Sequence, residues 1–179
     1  FSTSFYDNGK LCSLRGENAN GVWTLRVCDL GDFGVGRMLS WGIYVVGTET
    51  PFEGGETCAT AFDIPSTAGT AEYFGETRCA GNDASGSCGG GFAGDRIYKF
   101  TTTQPMAVSA QLESTDWDGI LYLKNSDASG CAPWSVACAD SCLAGECDES
   151  VNHKLVVPGT YYLVVDGAKN SGGWYKLTT

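Results

Sequence analysis

Three groups of carboxylates carry the most evident chemistry in this 179-residue chain. Asp116 and Asp118 flank Trp117, with Gly119 next. Asp29 and Asp32 lie in a Gly-rich turn, and Asp140, Asp148 and Glu149 bracket a cysteine-rich stretch. Ca2+ takes about six to eight oxygens, commonly from acidic loops and main-chain carbonyls. Each group is therefore a candidate Ca2+ site, and Ca2+ is the one cofactor these residues point to. The simpler reading of each is a solvated acidic turn or an Asx-turn.

Hydrolytic chemistry has less to work with. A Ser/His/Asp set needs an imidazole as general base, and His153 is the only histidine. It stands between Asn152 and Lys154 with no nucleophile motif beside it, and neither GxSxG nor HExxH occurs. We expect a strand-edge histidine and no catalytic residue. A zinc site of Cys131, Cys138, Cys142 and Cys147 would need closely spaced pairs, yet no CxxC exists. Disulfides are the better reading of these cysteines. Trp134, in a stretch that reads as a loop, and Trp117 are the candidates for an exposed platform on which a polysaccharide or protein ligand stacks. Trp23, Trp41 and Trp174 read as core or strand-edge packing.

Charge and composition narrow the partners. The net charge is −10; residues 1–50 hold four basic and five acidic side chains, leaving seven and sixteen for the rest. That acidity repels phosphates and anionic headgroups, so no nucleic-acid partner is expected. No stretch approaches the ~18 apolar residues of a membrane-spanning helix. Nine cysteines imply disulfides and an oxidising, extracellular or cell-surface location. The chain opens on Phe1 without a signal-peptide pattern and reads as a mature or processed product.

The elements that must position these groups are strands. Trp23, Leu25 and Val27 alternate, as do Trp41, Ile43 and Val45. The period of two recurs in residues 97–101, 106–112, 120–124, 154–157, 161–166 and 174–178, with a shorter stretch at 71–74. Pro158-Gly159 and residues 170–173 make turns, and no useful helical period exists. Many short strands with turn signals predict an all-β chain of β-sandwich or jelly-roll type. Residues 49–55 have linker composition, which separates a segment 1–48 from a segment 56–179.

Two family resemblances attach to these motifs. The stretch Gly21 to Asp29, with Gly31 to Gly36 and Ser40 to Val45, resembles the C-terminal end of the P domain (Homo B domain) of secreted subtilisin-like proteases. A whole P domain is much longer than residues 1–48, so the chain is expected to begin inside a domain. Four ordered motifs resemble the bacterial pre-peptidase C-terminal domain, in its Cys-rich myxobacterial form. They are Asp95 to Phe100, Asp118 to Leu123, Cys138-Ala139-Asp140, and Gly159 to Gly167. The departure is at the cysteine loop, where the usual acidic pair is Asp140-Ser141 and an extra pair, Cys142 and Cys147, follows. Together the resemblances imply a non-catalytic accessory region of a secreted hydrolase, of subtilisin-like protease type, aiding folding, secretion or attachment. Its partner is then the parent protease, with extracellular polysaccharide or protein as ligand. The alternative is a structural subunit of an extracellular assembly or filament, completed by strands from neighbouring copies.

Cysteine pairing is expected to follow proximity. Cys12 pairs with Cys28, Cys131 with Cys138, Cys142 with Cys147, and Cys79 with Cys88. Cys58 is then unpaired or bonded to another chain. The family resemblance offers Cys58–Cys88 as a rival.

Overall fold

The computed structural model describes residue 22 and residues 54–114, 116–128, 130–141 and 148–179. The P-domain-like segment, Asp29, Asp32, Cys12, Cys28, Cys142 and Cys147 lie outside the described residues. The chain separates into two compact units, Phe1–Pro51 and Phe52–Thr179, and the described strands all belong to the second.

Among the described residues, nine strands form two sheets. In chain order they are β1 (Phe62–Asp63), β2 (Glu72–Glu76), β3 (Arg96–Thr102), β4 (Met106–Glu113), β5 (Gly119–Asp127), β6 (Gly130–Ala139), β7 (Glu149–Val156), β8 (Gly159–Gly167) and β9 (Trp174–Thr178). One sheet has the order β1-β3-β8-β5-β6 and the other β2-β9-β4-β7. The pairing is antiparallel except for β1 with β3. The all-β sandwich read from the sequence is the fold of this unit.

Side-chain alternation decides which sheet faces water. In β4, Val108, Ala110 and Leu112 are buried while Ala107, Ser109 and Gln111 are exposed, as a half-buried strand requires. In β5 and β8 the alternation vanishes, because residues 119–124 and 161–167 are all buried. Strands covered on both faces read as continuous apolar runs. Between the sheets pack Tyr98, Leu112, Leu121, Leu163, Val165 and Leu177. Within this core the hydroxyls of Tyr98 and Tyr175 share a hydrogen bond of 2.8 Å. A neutral pair of this kind satisfies both groups in apolar surroundings.

Two local readings are corrected. Residues 131–134 are strand, not loop: β6 runs through Pro133. Proline is tolerated there because β6, among the described residues, is an edge strand paired to β5 alone, with register shifts around Lys124. Strand β7 begins five residues before the expected 154, since its first inward residue is the charged Glu149 and residues 152–155 are all exposed, which breaks the apolar period. A bulge between Val108 and Ala110 faces His153, whose φ is 48°, and its N–H donates to Ser109 Oγ at 3.0 Å.

The disulfides are also redrawn. Cys58 bonds to Cys131 and Cys88 to Cys138, and Cys79 is disulfide-bonded as well. So Cys58 is neither unpaired nor bonded to another chain, and the pairs Cys131–Cys138, Cys79–Cys88 and Cys58–Cys88 do not form. The reason for the first is extension. Seven residues along one strand span on the order of 20 Å, against the roughly 7 Å at which a disulfide can close. Cys58 is presented by a short 3-10 turn, Cys58–Thr60, capped reciprocally by Thr57 and Thr60. The segment before that turn is fastened to β3 by a Gly55–Ile97 bridge and a Glu56–Arg96 ion pair.

Candidate functional site

The 77–95 connection between β2 and β3 lies across the outer face of the five-stranded sheet. Beneath and beside it, Ile97, Ile120, Tyr122, Tyr162 and Val164 form a second apolar cluster, with Cys58, Cys131 and Cys138 packed against it. Glycines let the main chain come this close. A Cβ on Gly86 would meet the Tyr122 ring at 2.7 Å, and one on Gly90 would meet the Asp166 carboxylate at 2.1 Å. The Cys88–Cys138 disulfide ties the same loop to β6.

Four ionisable side chains are buried in this layer. Asp95, Tyr122 and Asp166 are 0% exposed, and Lys124 is scarcely more. Asp95 Oδ2 accepts from the N–H groups of Asp83 and Ala84 at 2.9 and 2.8 Å. Asp166 Oδ1 accepts from Gly167 N at 2.6 Å, and its Oδ2 from Tyr122 Oη at 2.9 Å and Gly91 N at 3.3 Å. Lys124 Nζ donates to the carbonyls of Ala132 and Pro133, and lies 5.6 Å from the centre of the Tyr122 ring.

Burial dominates their acidities. It lifts Asp95 to about 7 against the two backbone N–H groups, with Asp166 and Asp83 adding to the rise. Asp166 is pushed up by burial, opposed by its bonds to Gly167, Tyr122 and Gly91. Burial raises Tyr122, helped by Asp166, and lowers Lys124, opposed by Asp95 and Asp127. None of the four is matched with a nucleophile. Their hydrogen bonds go to main chain and to one another, so the arrangement holds a loop. Sequence reasoning misses this group, although Asp166 and Lys124 stand out as charges in otherwise apolar runs.

The expected acidic sites are partly regrouped. Asp118 of the first group and Asp140 and Glu149 of the third come near one another: partial burial raises Asp140, then Asp118 and Glu149 raise it further, while Lys169 opposes. Asp118 Oδ1 is buried without a hydrogen bond among the described residues. Glu149 is buried and accepts from Ser141 N at 2.8 Å. Asp116 is exposed, and Asp148 is exposed and accepts from Gln111 Nε2 at 2.6 Å. Among the described residues, no group of three or more His, Cys, Asp or Glu is arranged to hold a metal ion.

The aromatic candidates divide. Trp117 is 4% exposed, and its Nε1 donates to Trp174 O at 2.7 Å. It is a core residue rather than a platform, because its ring belongs to the inter-sheet cluster and Gly173 packs directly on it. Trp134 is 77% exposed on β6. His153 is exposed on β7, at the edge of the other sheet.

No protein-family model matches the chain. No curated protein matches it either. Among solved structures, the pre-peptidase C-terminal domain of collagenase from Bacillus anthracis is similar. The identity is 17% and the TM-score 0.44, over 74% of this chain and 100% of that one. No helix among the described residues is long and apolar enough to cross a membrane.

Proposed function

We propose that residues 56–179 are a non-catalytic accessory β-sandwich of a secreted hydrolase, and that they attach the parent enzyme to insoluble extracellular material. The observation that carries the reading is Trp134. A large aromatic ring is left 77% exposed on an edge strand that carries a disulfide at Cys131 and another at Cys138. With the strand so anchored and only two side-chain torsions to order, the ring loses little conformational freedom when a ligand stacks on it. The buried carboxylates, in contrast, are engaged by main-chain N–H groups and leave no general base beside a nucleophile among the described residues. The four ordered motifs that resemble the pre-peptidase C-terminal domain agree with this role, and the bonded cysteines fit an extracellular setting.

The test is co-sedimentation of the full chain with insoluble polysaccharide and with fibrous protein. Trp134→Ala is expected to weaken retention about tenfold or more, since a buried stacking contact is worth about 1–3 kcal/mol, with the melting temperature unchanged. Equal retention of both proteins on every matrix would remove the platform. Peptide or glycoside turnover that is lost on mutating His153 would remove the non-catalytic reading.

A further inference from the structure

We propose that the 77–95 connection is an acid-closed flap: its hold on the outer sheet face loosens as Asp95 gives up a proton, while the Cys88–Cys138 disulfide keeps it attached. The geometry comes first. Asp83 N and Ala84 N reach one oxygen of Asp95, Gly91 N reaches Asp166, and Ser87 N reaches Ser135 Oγ at 3.2 Å. Two of these anchors are carboxylates with no solvent exposure. The other oxygen of Asp95, Oδ1, is buried and has no hydrogen-bond partner among the described residues. The groups facing Asp95 are Asp83 on the flap, Asp166 on β8, and Lys124 and Tyr122 on β5. Lys124 directs its ammonium at two carbonyls and forms no hydrogen bond to Asp95. With both carboxylates ionised, the layer holds two negative charges against one positive charge in a poorly polarisable environment. A buried charge without a partner is costly. A proton on Asp95 removes that cost and leaves Oδ2 free to accept both flap N–H groups.

The sign follows from linkage. With the flap closed Asp95 titrates at about 7; opened to water it returns toward its ordinary 3.8. A raised carboxyl contributes closure that is complete below the lower value and lost as pH climbs to the upper one. The opening constant therefore rises about tenfold per pH unit within that window and levels off above it. Asp166, raised in the same direction, acts with the same sign. Opening uncovers the floor formed by Ile120, Tyr122 and Val164.

The experiment is native-state amide exchange on the full chain at several pH values from about 3 to 8, a range that brackets the rise. Rates at Asp83, Ala84 and Gly91 are corrected for intrinsic exchange and referred to β8 amides. Opening should grow about tenfold per unit up to about pH 7 and then flatten. Asp95→Asn mimics the neutral acid and should release one proton fewer on opening. Should that variant fail to fold, carboxyl carbon shifts of the unmodified chain should show Asp95 titrating at about 7. Protection that does not change with pH, an Asp95 midpoint near 3.8, or an Asp95→Asn slope equal to that of the parent chain would each overturn the flap. So would recovery of protection on the alkaline side on adding millimolar Ca2+, which would make Oδ1 a cation ligand instead.

Discussion

On its inner face the five-stranded sheet meets a second sheet; on its outer face it meets a connection with no regular structure. The inner contact is made by side chains such as Leu121, Leu163 and Val165 against Leu112 and Leu177, at full burial. Each sheet satisfies its own main chain, so the interface needs only shape and apolar area. The outer cover has no ladder of its own. Its N–H groups at Asp83, Ala84 and Gly91 find carboxylates, and the disulfides Cys58–Cys131 and Cys88–Cys138 staple the layer, with Cys79 of the cover bonded as well. Irregular chain can be packed as deeply as a sheet, but it then brings buried polar groups that must be satisfied one by one.

The sharpest way to break this contrast is to cut into the inner face. Leu163→Ala should cost about 2–5 kcal/mol in urea unfolding, because the side chain is fully packed between sheets that cannot collapse onto the gap. A loss below about 1 kcal/mol would mean that the sandwich core is softer than its burial indicates.

The staples come next. Cys58 and Cys131 are 73 residues apart in sequence, so opening their bond frees a long loop in the unfolded chain. The double change Cys58→Ser with Cys131→Ser should cost about 2–4 kcal/mol. A melting temperature unchanged by reduction would show that the outer layer holds without covalent help.

Titration sharpens the difference between the faces. The inner cluster is built of aliphatic and aromatic side chains, whereas the outer layer holds Asp95 and Asp166. The stability of the parent chain relative to Asp95→Asn should decline by at most about 1.4 kcal/mol per pH unit between 3.8 and about 7, and stay level above. A relative stability that rises with pH would reverse the sign and imply that Asp95 is stabilised as the anion.

The smallest effect belongs to the surface. Trp134→Ala should alter unfolding stability by no more than about 0.5 kcal/mol, since the ring is 77% exposed. A larger loss would make Trp134 a packing residue and weaken its assignment as a ligand platform.

Much of the sandwich was legible from residue order. The runs 106–112 and 174–178 fall on β4 and β9, because a period-two apolar pattern is a local property of the chain, while 120–124 and 161–166 fall on β5 and β8 as continuous apolar runs covered on both faces. Strand β6 was not legible. Its Pro133 and its cysteines read as loop, and only its place at a sheet edge makes them compatible with a strand. Asp116 and Asp118 were grouped by proximity in sequence, but the bend at 116–117 that precedes β5 left Asp116 exposed, and Asp118 came to lie near Asp140 and Glu149 instead. The two ring candidates were alike on paper; packing beneath Gly173 buried Trp117 and left Trp134 in water.

The amino-acid sequence by itself determined the class of this protein: strands, turns and an acidic character. These depend on neighbours within a few residues or on composition alone. Which cysteines bond, which carboxylates lose water and which tryptophan meets it were decided by tertiary structure. Those outcomes depend on strands distant in sequence, as when Cys58 reaches Cys131 and Asp95 lies in one layer with Asp166. The free energy of a charge or a thiol is set by what surrounds it, and only the folded chain supplies those surroundings.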